Sequence, residues 1–478
     1  MYDVIIIGGG VIGAACAYSL SRYRLKVAML ERSNDLANGT TKANSAIIHA
    51  GYDPVPGTLM ARLNVEGAAM APDICRKLDV PYDQCGSLVL AFSQADLTHI
   101  QKLYDRGVAN GVPGMSLLSA EEVRAMEPEV SEDVVGALLA PSAGIVCPWE
   151  YCLAMAEAAV RNGLELHRST TVTGITHREN TYTIHTNRGD FSAAYVLDAA
   201  GLDAGSIHAM LEQPDYSITP TRGQYYLLDK SEGGRCRRTI FQCPSDKGKG
   251  VLVSPTVHGN LIVGPDAEVV EGNNCSTSAE ALAMIAAAAR RSIPAVDFRA
   301  NIRNFAGVRA NSSSEDFLIG QSAAHPGFFY LSGVKSPGLS AAPAIGEYMV
   351  KQLEKAGLPL TKKENFIDSR ERIKFKELSL EEKNALIAKD PAYGRVICRC
   401  ETITEGEIVA ALRSPIPPLS INAVKRRCGA GMGRCQGGFC APKVHEIMAR
   451  ELGLSMDAIP MEEADSWLLC GSTKEVAP

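Results

Sequence analysis

The chain has 478 residues, a mass of 51.0 kDa, a formal net charge of -6 and an isoelectric point near 5.9. Its 46% hydrophobic and 21% charged residues lie near globular averages, which excludes a wholly disordered, collagenous or coiled-coil chain. The acidic balance excludes the basic face that nucleic-acid binding needs, and the length predicts two to four domains.

No basic segment precedes the first apolar run, and no charge-free apolar stretch is long enough to span a bilayer. Neither a secretory signal nor a membrane span is expected, and the expected location is cytoplasmic. A chain of this kind should hold its 14 cysteines as buried thiols or metal ligands rather than as disulfides. Eight of them, Cys16, Cys75, Cys85, Cys147, Cys152, Cys236, Cys243 and Cys275, are scattered and read as small buried apolar residues. Five more, Cys398, Cys400, Cys428, Cys435 and Cys440, fall within 43 residues, with Cys470 trailing in an apolar run as a packing residue.

In chain order, residues 3–7 read as a buried parallel strand. Gly8-Gly9-Gly10-Val11-Ile12-Gly13 and a helix-like run follow, and a second strand over 26–30 ends at Glu31. This is G-x-G-x-x-G between a strand and a helix, with an acidic residue 21 positions after Gly10. Gly8, Gly10 and Gly13 let the backbone turn tightly and approach a pyrophosphate at a helix N-terminus. Glu31 accepts hydrogen bonds from an adenosine ribose. The motif alone leaves NAD or FAD open. The small, polar stretch that follows, from Asn38 through Thr40, Thr41, Asn44 and Ser45 to His49, favours FAD. It offers backbone N–H and hydroxyl groups without bulk.

Further segments, Thr171-Val172-Thr173-Gly174, Val196 to Ala200-Gly201, Phe305-Ala306-Gly307-Val308-Arg309 and Leu331 to Ser340, follow in order. With them, residues 1–356 resemble the D-amino-acid-oxidase-like FAD oxidoreductases. The resemblance is to the branch that holds glycerol-3-phosphate and L-2-hydroxyglutarate dehydrogenases. It implies an α/β fold (α+β overall), with a Rossmann-type FAD-binding domain and an inserted antiparallel-sheet substrate domain. It also implies FAD contacts at Val172, Ala200, Gly201, Gly333, Gly338, Leu339 and Ser340, and a helix after Ser340 whose dipole faces the flavin. From the same resemblance, Arg309 and Arg222 are candidate anion clamps, and His49 is the candidate base, since a neutral imidazole titrates near working pH. His258 is a weaker candidate, read as a turn residue. Lys335 is placed near the flavin, where a glutamate is common in the family.

Residues 361–390 carry mixed charge without aromatic interleaving and read as a solvated linker and helix. After it, Cys398, Cys400, Cys435 and Cys440 stand as C-x-C, 34 intervening residues, and C-x4-C. Four thiolates on glycine-rich loops suit zinc or a 2Fe-2S cluster, and C-x-C is uncommon for zinc. The Gly-Met-Gly-x-Cys-Gln-Gly run makes this segment resemble the bacterioferritin-associated-ferredoxin-like 2Fe-2S domain, a small helical module. The resemblance implies that the four named cysteines are ligands and that Cys428 is not one.

The expected domains are 1–80, 141–213 and 301–356 for FAD, 81–140 and 214–300 for substrate, 357–392 as linker and 393–478 for the cluster. The expected activity is oxidation of sn-glycerol 3-phosphate to dihydroxyacetone phosphate by hydride transfer to flavin. Electrons would then leave through the cluster to a partner flavoprotein subunit or a membrane-linked carrier, a route compatible with peripheral membrane association. L-2-Hydroxyglutarate is the runner-up substrate. A non-catalytic electron-transfer subunit is the rival of another class, which the presence of Arg309 and His49 disfavours.

Overall fold

The computed structural model describes residues 1–244, 250–471 and 474. The apolar run at the N-terminus forms strand Tyr2–Ile7 at the centre of an eight-stranded sheet. It pairs in parallel with Val27–Leu30 on one side and with Gly189–Asp198 on the other. Glu165–His167 extends the sheet beyond Val27–Leu30, and Phe328–Ser332 pairs in parallel with the end of Gly189–Asp198. The first half of Gly189–Asp198 pairs antiparallel with Thr181–Thr186, so one long strand serves a parallel sheet and a meander. Helices Val11–Leu20, Pro148–Arg161 and Gly338–Lys355 contribute Ala15, Leu153 and Ile345 to the fully buried core beside it.

A second, nine-stranded sheet stands apart from the first. One of its strands, Ile218–Leu228, runs antiparallel to Asn301–Ser312 over its whole length. This corrects one expected boundary. Residues 301–312 belong to this second sheet, because their backbone is hydrogen-bonded to Ile218–Leu228. The chain rejoins the first sheet only at Leu318–Gln321.

The linker reading is also corrected in part. Residues 361–375 lie extended on the first domain, with the Lys363 N–H donating to the Arg22 carbonyl at 2.8 Å. Arg370 is buried against Glu157 at 2.6 Å, and Arg372 reaches Glu150 at 2.5 Å. Charges that read as solvated are thus matched by buried acids on helix Pro148–Arg161. Only helix Leu380–Lys389, held by a Ser379–Glu382 capping box and without a fully buried residue, stays on the surface as expected.

The C-terminal domain packs helices Glu405–Leu412, Ile421–Cys428 and Ala441–Leu452 around Ile408, Val424 and Met448. It is fastened to the domain of the first sheet by Asp35, whose carboxylate accepts from Arg427 at 2.7 Å and Arg426 at 3.0 Å. All three residues are buried. Of the scattered thiols, Cys16, Cys75, Cys147, Cys152 and Cys236 are buried as expected. Cys85 and Cys243 are half-buried, and Cys275 and Cys470 are exposed, against the packing reading. Among the described residues no helix is long and apolar enough to cross a membrane.

Candidate active site and metal centre

Between the two sheets lies a cavity of about 1580 Å³, wide enough for a dinucleotide and a small substrate together. The glycine loop forms its floor. Gly8 has φ +108°, and a Cβ there would come within 2.5 Å of the Ala199 carbonyl oxygen. Only glycine allows both the turn and the approach. Gly10 lines the cavity and begins helix Val11–Leu20 without a side-chain cap. Gly13 does not line it. A Cβ there would lie 2.0 Å from the Gly8 carbonyl oxygen, so Gly13 serves helix–strand packing.

Glu31 lines the cavity, and its two oxygens accept the Gly9 and Ser33 N–H groups at 2.6 and 2.8 Å. Burial raises its pKa, and these backbone bonds oppose that rise. Two of roughly four acceptor sites remain for a ribose. Thr40, Thr41, Asn44 and Ser45 all line the cavity. Asn44 shapes their loop, donating to the Thr41 carbonyl and accepting from the Ala46 N–H, both at 2.8 Å. Thr40 donates to the Val308 carbonyl at 2.6 Å and ties the loop to the strand that bears Arg309.

Val172, Ala200, Gly201, Gly338 and Leu339 line the cavity as expected. Helix Gly338–Lys355 starts before Ser340, earlier than expected, and begins at the cavity without a side-chain cap, so its N-terminal dipole borders the cavity. Two expected contacts lie outside. Gly333 turns the chain at φ +61°. Ser340 is fully buried, and its Oγ accepts the His49 backbone N–H at 2.7 Å. It holds the candidate base rather than the cavity wall.

His49 and Arg309 both line the cavity and are half-buried. The His49 ring stacks on Phe241, centroids 5.6 Å apart, with Nε2 3.4 Å from Ser336 Oγ. Arg309 donates to the Asp266 carbonyl at 3.3 Å. Its guanidinium lies across Gly223, where a Cβ would stand 2.4 Å from Nη2. Lys335 also lines the cavity and donates to the Ser314 carbonyl at 3.2 Å.

The reading of Arg222 as an anion clamp is corrected. Side chains alternate along a strand; Thr221 and Tyr225 line the cavity, and Arg222 points to the other face. There its buried guanidinium is committed to Glu268 and Ser276, both at 2.6 Å. His258 is outside the cavity as well, its Nε2 4.0 Å from Glu150 Oε1, and burial lowers its pKa. It forms a cluster with Cys147 and Glu150, but Arg372 already binds the Glu150 carboxylate.

Tyr225, Phe241 and Glu463 are among the cavity residues that were not anticipated individually. Tyr225 meets Ser45 Oγ at 3.2 Å, and Phe241 supports His49. Parity with Gly223 could have marked Tyr225. Glu463 reaches the rim from the C-terminal domain, and no local sequence signal indicates it.

In the C-terminal domain the four expected sulfurs form two pairs. Cys400 and Cys435 are 3.7 Å apart, and Cys398 shares a hydrogen bond with Cys440. Among the described residues, no three of the four lie within 4.8 Å of one another. Four thiolates on two glycine-rich loops would fit a 2Fe-2S cluster, which would supply a one-electron centre there. Backbone N–H groups of Gly437 and Phe439 face Cys435, and that of Gly431 faces Cys398, as thiolate ligands require. Cys428 stands apart: its Sγ donates to the Val424 carbonyl at 3.4 Å, and burial pushes the thiol up to about 12.

Residues 3–352 match the DAO family, described as FAD dependent oxidoreductase. The chain belongs to this family. Residues 396–450 match the BFD-like [2Fe-2S] binding domain, so the chain joins an FAD-dependent oxidoreductase to a 2Fe-2S-binding domain. The chain is 49% identical to a glycerol 3-phosphate dehydrogenase of Caloramator mitchellensis over 476 residues, 99% of both chains. A solved L-alpha-glycerophosphate oxidase from Mycoplasma pneumoniae, with FAD bound, is 33% identical with a TM-score of 0.73. That match covers 77% of this chain and 98% of the oxidase. An L-2-hydroxyglutarate dehydrogenase of Escherichia coli (strain UMN026) is 32% identical over 56% of this chain and 64% of its own length.

Gly307 offers a direct check on the cavity. A Cβ at this position would stand 1.8 Å from the Ala43 carbonyl oxygen, on the loop that carries Thr40 to Ser45. Gly307→Ala is expected to force the strand off that loop, destabilise the chain by roughly 1–3 kcal/mol and lower bound flavin. The ratio of flavin to protein absorbance after gel filtration measures it. Full flavin content would show that the loop and strand can part without disturbing the site.

Proposed function

We propose that the protein oxidises sn-glycerol 3-phosphate to dihydroxyacetone phosphate, with electrons leaving through the 2Fe-2S cluster to a partner. The observation that carries this reading is the Arg309 guanidinium, kept open over Gly223 in the cavity that Gly8 and Gly10 also line. FAD, when bound, supplies the two-electron acceptor for the carbinol carbon. Arg309 binds the phosphate of the substrate through charge-assisted hydrogen bonds. His49, held by Ser340 and stacked on Phe241, takes the hydroxyl proton at an imidazole nitrogen. Lys335 adds positive charge to the same wall. The uncapped start of helix Gly338–Lys355 points partial positive charge into the cavity, where it would offset negative charge on a bound cofactor or substrate.

The full-length likeness to the Caloramator protein supports glycerol 3-phosphate over L-2-hydroxyglutarate, whose dehydrogenases align with little more than half of this chain. All 14 cysteines are free, which suits a reducing, cytoplasmic setting. A steady-state comparison under a neutral dye acceptor tests the assignment. Glycerol 3-phosphate is expected to exceed L-2-hydroxyglutarate in kcat/KM by about 100-fold, the range of a mismatched anion site, with dihydroxyacetone phosphate as product. The reverse order would move the assignment to the 2-hydroxy acid, and no turnover with either would favour a non-catalytic relay.

A further inference from the structure

The two sulfur pairs of the cluster site differ in their surroundings. Cys398 and Cys440 are buried among the apolar residues of the domain core, whereas Cys400 is exposed and Cys435 half-buried. The outward pair therefore marks the surface from which an electron travels the shortest path out of the domain. Three side chains adjoin the ligands there. Arg399 immediately precedes Cys400, Arg434 immediately precedes Cys435, and Phe439 immediately precedes Cys440. Both arginines are exposed, and neither makes an ion pair or hydrogen bond among the described residues. The acid of the same loops, Glu401, is nearly buried and already bonded to Lys230 at 2.8 Å. A chain of net charge -6 thus presents a basic spot at its cluster.

Phe439 is 87% exposed and follows Gly437 and Gly438. An aromatic ring buries roughly 150–250 Å² when it is covered, so leaving it in water forgoes a large stabilisation. Aromatic and arginine side chains grouped in one patch are the side chains that carry most binding energy at protein interfaces.

We propose that this face is the docking site of an acidic protein that carries a one-electron centre. Phe439 is its apolar anchor, and Arg399 and Arg434 form the charged rim. The inference rests on the reading that electrons leave through the cluster, and it specifies the chemistry of the recipient. Positive charge at the exit steers an acidic surface toward Cys400 and Cys435 and repels basic carriers. The competing role for the two arginines is to offset the charge of four thiolates at the cluster, with no part in docking.

Isothermal titration with oxidised flavodoxin, an acidic one-electron carrier, separates these roles without any turnover. Binding is expected to weaken about tenfold between low and physiological salt. The double substitution Arg399→Glu with Arg434→Glu is expected to remove a further tenfold or more, and Phe439→Ala about tenfold. Arg399→Lys with Arg434→Lys should retain most of the affinity, since charge rather than fork geometry is being read. Iron content, the visible spectrum and anaerobic bleaching of the flavin by glycerol 3-phosphate should be unchanged in each variant. Basic cytochrome c binding as tightly as flavodoxin would overturn the proposal. So would charge reversal that alters the cluster spectrum and leaves flavodoxin affinity intact. Because the titration uses no substrate, either failure is separable from failure of the glycerol 3-phosphate assignment.

Discussion

Replacing Arg309 by alanine is expected to raise the KM for glycerol 3-phosphate by about 100-fold, as loss of a charge-assisted anion contact does. FAD should stay bound. The reason lies in the geometry. Arg309 is fixed by the Asp266 carbonyl and by the open space over Gly223, and its guanidinium borders the cavity beside the loop of Thr40 to Ser45. Alanine removes the cation but leaves the strand Asn301–Ser312 paired to Ile218–Leu228. Arg309→Lys keeps the charge and loses the planar fork, so it should fall between the two. A KM unchanged in Arg309→Ala would remove this residue from the anion site.

The second large effect is expected at the junction of the domains. Asp35→Asn leaves Arg426 and Arg427 buried beside a neutral amide, and breaking a buried pair in this way costs about 3–5 kcal/mol. Burial alone would raise the Asp35 pKa. The Arg427 and Arg426 guanidinium groups beside it overcome that and hold the carboxyl well below the usual carboxylate range. A carboxyl depressed in the folded state contributes stability above its unfolded pKa of about 3.9, and that contribution is lost as pH falls below it. Docking should therefore be constant from about pH 5 to 9 and weaken below about pH 4. In Asp35→Asn the C-terminal domain should be released by protease at neutral pH, with earlier thermal unfolding. Asp35→Asn with Arg427→Gln should recover part of the loss, because it removes one of the unpaired charges. Identical proteolysis of Asp35→Asn and the unsubstituted protein would show that the apolar contacts alone hold the domain.

The same junction shows what could be read from residue order and what could not. The glycine loop and Glu31 were legible because their chemistry is local: a strand, a turn that tolerates no side chain, and a carboxylate at a fixed distance in sequence. The four candidate ligand cysteines stand out for the same reason, since Cys398 and Cys400 share one short loop and Cys435 and Cys440 another. Arg222 and Arg309 were not separable by type. Strand parity decides between them, and parity becomes meaningful only once Thr221 and Tyr225 are known to line the cavity. The charges of 361–375 read as solvent-facing because their partners, Glu150 and Glu157, lie more than 200 residues earlier on a helix whose acids are buried. Glu463 at the cavity rim was illegible because it arrives through domain docking, from a segment with no motif.

Docking also links the two sites. Glu462, next to Glu463, binds Arg426 at 2.5 Å and Lys42 at 3.2 Å, and Lys42 follows the cavity residues Thr40 and Thr41. The iron–sulfur domain thus rests on the loop that borders the flavin cavity, and both are held by the same few charges.

Anaerobic mixing with sn-glycerol 3-phosphate, followed by flavin absorbance near 450 nm and by iron–sulfur paramagnetic resonance on the same sample, tests the account most directly. Bleaching of the flavin band together with the signal of a reduced cluster is the predicted result. An unbleached flavin, or bleaching by L-2-hydroxyglutarate alone, would contradict it.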